Sequence, residues 1–260
     1  MVRRLAPGEV LEVFVAQSEE LLEWAAALSA SELAGPSSLP EWTVAELLSH
    51  LAVSAGMVAE AVTCPAPRGQ HPLAFHEYVA SYAPAAGDIA ARARSEAPVV
   101  TDAVASLSRR TGEAVEAASA VAGDPVLVGR RGPLRFSDLL VTRVVELVVH
   151  GRDLGRSLPA RPAPVTAAAS RLVTRTFAEV LAARHPGRAV ELRVPPYAAV
   201  QMLEGATHTR GTPPNVVETD PGTFVDLASG RLRFAEAVDR GAVRASGMRS
   251  DLSGVLPVLG

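Results

Sequence analysis

An apolar helical segment of this sequence contains two side chains that can bind a metal ion. Glu146 and His150 lie four residues apart within the run VVELVVH, which spans Val144 to His150. That spacing places both side chains on one face of an α-helix, and a helix that is apolar all round is buried. Both side chains then need partners, because an unpaired buried charge is costly. A divalent metal ion would partner both.

A third candidate ligand, His50, lies in another apolar segment. It stands among three leucines of one stretch: Leu47, Leu48 and Leu51. Two helices of a bundle can bring His50 to Glu146 and His150 at the bundle centre. Two histidines and one carboxylate form a three-ligand set with an open coordination position, which is typical of catalytic rather than structural zinc.

The spacing of these residues leaves a second interpretation open. Glu146 could instead pair with Arg143 or Arg152, and His150 could be a hydrogen-bonded core histidine. The sequence has no HExxH motif, no cysteine cluster and no acidic calcium-binding loop that would favour the metal site over the ion pair.

Helices must position these side chains. Apolar residues recur at helical spacing from residue 9 to about residue 158. A capping box formed by Thr43 and Glu46 predicts the start of the helix that carries His50. These helices, with a loop over residues 123–133, predict an up-and-down bundle. The helices are predicted from residue 9 and over about 43–62, 73–97, 101–121 and 136–157.

A proline-rich joint follows the bundle and predicts a domain boundary. Three prolines fall within six residues: Pro159, Pro162 and Pro164. We expect residues 1–158 to form one domain and residues 159–260 a smaller one. The second domain mixes a helix over about 166–184, short helices at 221, at 234–239 and after 250, and strands at 190–194, 198–203, 216–219 and 242–245. This mixture predicts an α+β domain, and therefore an α+β chain overall.

Composition narrows the function classes. The 260 residues are 48% hydrophobic and 20% charged, with a net charge of −3, which excludes a disordered chain and argues against nucleic-acid binding. A single cysteine, Cys64, excludes an internal disulfide framework. No signal peptide is recognised, and no run approaches the ~20 apolar residues of a membrane span. We therefore expect a cytoplasmic protein without a membrane partner.

Two motifs resemble one known family. LPEWTVAELLSHL, from Leu39 to Leu51, and RVVELVVHGRDL, from Arg143 to Leu154, are similar to the metal-binding helices of the mycothiol-dependent maleylpyruvate isomerase family. That family belongs to the DinB-like four-helix bundles. The resemblance implies that His50, Glu146 and His150 are the protein ligands of a zinc ion, with another divalent metal as the alternative.

The C-terminal part extends the resemblance. Residues 208–221, 226–232 and 241–247 look like a sterol carrier protein 2 domain, and the run HTRGTPP at 208–214 resembles a subgroup called sterol carrier family protein, whose function is not assigned. In the resembling isomerases, an arginine of this domain assists catalysis. The candidates here are Arg210, Arg231 and Arg244, since arginine contacts carboxylates through two hydrogen bonds. Alternatively, these arginines cap helices or pair with nearby acidic residues.

The resemblance implies a zinc-dependent enzyme that uses a low-molecular-weight thiol, mycothiol, for isomerisation or thiol transfer on a small electrophilic substrate. That substrate would carry a carboxylate. Two alternatives remain: a protein that binds a lipid, a sterol or another small molecule, and a non-catalytic metal-containing scaffold.

Overall fold

The computed structural model describes residues 5–80, 102–205 and 215–259. The chain divides into two compact units, Met1–Ala74 with Ala85–Ala169 and Phe75–Pro84 with Ser170–Gly260. In chain order the helices are α1 (Pro7–Ala26), α2 (Ala30–Ala34), α3 (Val44–Val62), α4 (Phe75–Ala80), α5 (Ala103–Ser119), α6 (Phe136–Ser157), α7 (Ala167–Arg184), α8 (Pro221–Ala228) and α9 (Phe234–Asp239). The strands are β1 (Val126–Gly129), β2 (Gly132–Arg135), β3 (Val190–Val194), β4 (Ala198–Met202), β5 (Val216–Thr219) and β6 (Val243–Ser246).

The first unit is a helical bundle of α1, α3, α5 and α6. Each helix contributes large apolar side chains that are at most 1% exposed: Phe14, Leu48, Leu107 and Leu140. Burying one such side chain stabilises the fold by roughly 1.5–3 kcal/mol. Helix α6 is buried on most of its circumference, so polar groups on its inner face must find partners within the bundle.

The structure corrects the predicted loop over residues 123–133. Strands β1 and β2 pair as an antiparallel hairpin, with Val126 opposite Arg135 and Gly129 opposite Gly132. The prolines and glycines that predicted a loop fit this short hairpin, because Gly132 has a φ of 128° that side chains rarely adopt. The predicted helix over 73–97 is present as α4 up to Ala80, and the rest of it lies outside the described residues.

Helix α3 is long and apolar enough to cross a membrane by length and composition alone. In its most apolar window, 56% of the residues are buried inside the fold. That burial is expected of a core helix, and three of its leucines are at most 1% exposed: Leu47, Leu48 and Leu51.

The second unit is built on a four-stranded sheet with the order β4-β3-β5-β6. Strand β3 is antiparallel to β4 and parallel to β5, and β5 is antiparallel to β6. Along β3, alternate side chains are buried and partly exposed, as expected for a sheet with one covered face. Helix α8 starts at Pro221 as predicted, and the preceding Asp220 side chain caps it by accepting a hydrogen bond from the Thr223 backbone. The predicted α+β class is confirmed.

One predicted element differs from the observed structure. Described residues 251–259 form turns rather than the helix expected after Ser250, because Gly254 and Pro257 both disfavour helix. Helix α6 ends at Ser157, next to the domain boundary that we propose at residues 158/159, whereas the compact unit extends to Ala169.

Candidate metal centre

The residues at the start of α3 determine where the helix that carries His50 begins. The Thr43 side chain accepts a hydrogen bond from the Glu46 backbone N–H at 3.2 Å, and the Glu46 carboxylate accepts one from the Thr43 backbone at 2.7 Å. This predicted capping box starts α3 at Val44. His50 therefore lies near the end of the second helical turn, at a height on α3 that the cap determines.

Helices α3 and α6 bring the three predicted ligands together. One oxygen of Glu146, Oε2, lies 3.2 Å from His50 Nε2 and 3.4 Å from His150 Nε2. Taking one ligand atom from each residue, all three atoms lie within 4.8 Å of one another. The two imidazole rings are nearly perpendicular, with centroids 4.8 Å apart. The side chains are 14–18% exposed, so the cluster is largely removed from water.

Asp153 holds the His150 ring from its other side. Its Oδ2 lies 2.9 Å from His150 Nδ1, and its Oδ1 accepts a hydrogen bond from the Arg156 guanidinium. The Asp153 side chain is 1% exposed. When Nδ1 donates to this carboxylate, Nε2 carries the lone pair and faces Glu146. Carboxylates in this position orient histidines that bind metal ions.

The electrostatics of the cluster favour a positive charge at its centre. Burial by itself raises the pKa of Glu146, but hydrogen bonds from His150 and His50 lower it well below its usual value. Burial lowers the pKa of His150, but its hydrogen bonds to Asp153 and Glu146 raise it to about 9. The buried carboxylates thus stabilise a proton on His150, and a metal cation would compete for the same position.

The donor set fits a divalent metal ion. Two imidazole nitrogens and one carboxylate oxygen suit zinc and other borderline first-row ions. The alternative pairing of Glu146 with Arg143 is wrong, because the Arg143 guanidinium donates to Ser54, Met57 and Thr142. Glu146 instead accepts from the two histidines.

The loop before α3 also contacts the site. The Trp42 ring meets the His50 ring edge to face, with centroids 5.8 Å apart. Glu41, one residue earlier, has a φ of 66°, a left-handed conformation that costs a non-glycine residue about 1–2 kcal/mol. An open groove of about 470 Å³ is lined by eight residues between Ala34 and Thr43, Trp42 among them. His50 is thus held between Trp42 and His150.

The three candidate arginines of the C-terminal part have different surroundings. Arg231 donates to the Ser229 carbonyl oxygen at 3.2 Å, near the end of α8. Arg244 pairs with Glu218 across β5 and β6, and its side chain is 81% exposed. Arg210 lies outside the described residues. The catalytic role assigned to these arginines stays a prediction.

Sequence reasoning missed the parts played by Asp153 and Arg156. A signal was present, because Asp153 follows His150 by three residues on a buried helix, which puts the two side chains on one face. Arg156 follows Asp153 by the same interval. The contacts of Arg143 with Ser54 and Met57 carried no such signal, since these acceptors come from α3 and include a backbone carbonyl.

Comparisons with known proteins agree with this architecture. A family model for the mycothiol maleylpyruvate isomerase N-terminal domain matches residues 14–155, and a model for a bacterial SCP ortholog matches residues 166–258. A comparison with curated proteins finds no match.

Two similar solved structures are mycothiol-dependent maleylpyruvate isomerase, with a TM-score of 0.59 and 16% identity, and a histidine-to-alanine mutant of it, with a TM-score of 0.63 and 14% identity. In both, 95% of this chain aligns with 96% of the other. At these identities the likeness is one of fold.

Proposed function

Because this chain belongs to the family of the mycothiol maleylpyruvate isomerase N-terminal domain, we propose that it is a zinc-dependent enzyme that uses a low-molecular-weight thiol such as mycothiol. The reaction is an isomerisation or a thiol transfer on a small electrophile. The observation that carries this proposal is the convergence of His50, Glu146 and His150 within 4.8 Å. Another divalent ion is the alternative to zinc.

A zinc ion bound there would act as a Lewis acid that stabilises a thiol in its thiolate form. Two neutral imidazoles and one carboxylate contribute a charge of −1, so the loaded site keeps a net positive charge that attracts an anionic sulfur. Three protein ligands also leave a coordination position open for the thiol. Asp153 keeps the His150 Nε2 lone pair directed into the site.

A thiolate can isomerise an activated double bond without being consumed. Its addition converts the double bond to a single bond that rotates, and its departure restores the double bond in the other geometry. We propose a substrate that carries a carboxylate, and Arg210, Arg231 and Arg244 stay our candidates for an arginine of the second domain that holds it. We also propose a cytoplasmic location, since a single cysteine fits a reducing compartment.

Binding of a lipid or another small molecule by the second unit is a second candidate function. The match of residues 166–258 to a bacterial SCP model favours it. This function would not require the metal site, so removing the site separates the two candidates.

Metal content tests the proposal first. The full chain, purified without added chelator, is measured by inductively coupled plasma mass spectrometry as wild type, His150→Ala and His71→Ala. His71 is an exposed histidine outside the site, so its variant controls for adventitious binding. We expect about one zinc per chain in wild type and His71→Ala, and none in His150→Ala. Equal metal in all three variants, or none in any, contradicts the proposal.

Turnover is then measured with mycothiol and a panel of unsaturated carboxylic acids. Activity that requires both the thiol and His150 supports the enzyme. A chain that holds zinc but turns over none of these acids is a scaffold with respect to this chemistry.

A further inference from the structure

Arg143 is a buried cation without a described counter-ion. Its side chain lies on α6, three residues before Glu146, and the residue is 5% exposed. Nε donates to Thr142 Oγ1 at 3.1 Å, and Nη1 lies 3.2 Å from the Ser54 carbonyl oxygen, 2.9 Å from Ser54 Oγ and 3.1 Å from Met57 Sδ. All of these acceptors are neutral. No carboxylate in the described ranges pairs with this guanidinium.

The neutral acceptors fix the guanidinium but do not neutralise it. A guanidinium has five N–H donors, and the two on Nη2 have no acceptor in the described part of the chain. Burying a charge without an opposite charge is costly. Glu146 does not offset it, because its described partners are His50 and His150. An anion that arrives with a ligand would remove this cost.

The position of Arg143 connects it to the metal centre. Arg143 lies one turn before Glu146 on α6, and Ser54 lies one turn after His50 on α3. Along the pair of helices α3 and α6, the side chains therefore form successive layers. The candidate metal ligands occupy one layer, and the contact between Arg143 and Ser54 occupies the next. Side chains three or four residues apart on a helix have Cβ atoms about 5–6 Å apart, so both layers lie within reach of one small molecule.

We propose that Arg143 binds the carboxylate of the small-molecule substrate, next to the metal centre. The assignment rests on the proposed function and extends it, because it places a carboxylate site inside the helical bundle. The two N–H groups on Nη2, which have no acceptor in the described part of the chain, form a fork that can donate charge-assisted hydrogen bonds to a carboxylate. Ser54, Met57 and Thr142 orient that fork without contributing a negative charge that would repel the ligand.

Calorimetric titration of the zinc-loaded full chain tests this assignment. The probes are succinate and its neutral diamide, succinamide. The variants are Arg143→Met, which removes the charge in the core, and Arg109→Met, which removes a charge from an exposed arginine paired with Glu113 on α5. Zinc content is measured on the same preparations.

We expect wild type and Arg109→Met to bind succinate alike and to bind succinamide at least about tenfold more weakly, because charge-assisted hydrogen bonds are lost with the amide. Arg143→Met should weaken succinate binding by about tenfold or more for the same reason, with unchanged zinc content. If Arg143→Met does not fold, Arg143→Gln decides, because its amide can still donate to the Ser54 carbonyl.

Succinate binding within twofold of wild type in a folded, neutral Arg143 variant would overturn the assignment, as would equal affinity for succinate and succinamide. Zinc without Arg143-dependent succinate binding contradicts the assignment and leaves the proposed function standing. Arg143-dependent succinate binding in a chain that takes up no zinc contradicts the proposed function and supports the carboxylate site.

Discussion

Replacing Asp153 with asparagine tests whether the carboxylate behind His150 controls metal binding. The asparagine side chain has nearly the same shape, and its amide oxygen can still accept from His150 Nδ1, whereas the negative charge is lost. Two consequences oppose each other. A less polarised and less firmly oriented His150 is a poorer ligand, and losing such a carboxylate weakens metal affinity by about 10–100-fold. Asparagine also lowers the pKa of His150, so protons compete less with the metal.

The size of the proton competition follows from the raised pKa of His150 in wild type. At a pKa of about 9, His150 of the metal-free chain is neutral in only about 1% of molecules at pH 7 and in about a quarter at pH 8.5. Wild type therefore gains apparent zinc affinity as pH rises through this range. In Asp153→Asn only Glu146 still raises the pKa of His150, so this variant gains less. The ratio of the two dissociation constants should therefore grow with pH.

At pH 8.5 the ligand effect should dominate. We expect Asp153→Asn to bind zinc about tenfold more weakly than wild type there, which corresponds to about 1.4 kcal/mol, and to approach wild type at pH 7. The assay is competition for zinc with a chromophoric chelator at both pH values. Asp102→Asn is the matched control, because Asp102 caps α5 away from the three ligands and asparagine caps helices equally well.

The reasoning fails if the two dissociation constants agree within twofold at pH 8.5. It also fails if the ratio falls as pH rises, since proton competition would then have the opposite sign. A loss of equal size in Asp102→Asn would show that the effect comes from the net charge of the chain.

Three further predictions concern the stability of the fold. Thr43→Ala should lower the free energy of unfolding by about 1 kcal/mol, and Thr43→Ser by less, because only serine keeps the cap of α3; urea denaturation measures both. The Arg161 guanidinium holds the pKa of Glu32 at about 2, so this pair stabilises the fold above pH 4.5 and loses its effect as pH falls towards 2. In the Glu32→Gln variant, the free energy of unfolding should therefore depend less on pH between 4.5 and 2. The same dependence on pH as in wild type would contradict this prediction. Gly187→Ala should prevent folding, because its Cβ would lie 1.9 Å from a backbone carbonyl oxygen, whereas Gly112→Ala, in open space on α5, should stabilise by about 0.5–1 kcal/mol; thermal melts compare the two.

The convergence of the three candidate ligands could be predicted because each of them carries a local signal. Glu146 and His150 interrupt an apolar helix at an interval that defines one face, and His50 follows a capping box that sets its helix. The family resemblance of the two motifs is confirmed by the family model that matches residues 14–155. These signals depend only on residues near each ligand in sequence.

The partners of Arg143 could not be predicted in the same way. An arginine three residues before a glutamate on a helix suggests an ion pair, and the structure shows none between Arg143 and Glu146. The choice was decided by α3, which offers the Ser54 carbonyl and hydroxyl oxygens at the height of Arg143. The register between two packed helices sets such contacts, and helical periodicity does not encode it.

The helix pair α3 and α6 concentrates buried polar groups in successive layers, and this distribution itself argues for a function. Hydrophobic residues of similar volume would stabilise a bundle core at least as well as ion pairs do. The core nevertheless contains a carboxylate between two histidines, a second carboxylate behind one of them, and a guanidinium held by neutral acceptors. The first two arrangements create a position for a cation, and the third creates a position for an anion one turn away. A core built for stability alone would need neither, whereas one that binds a metal ion and an acidic substrate would need both.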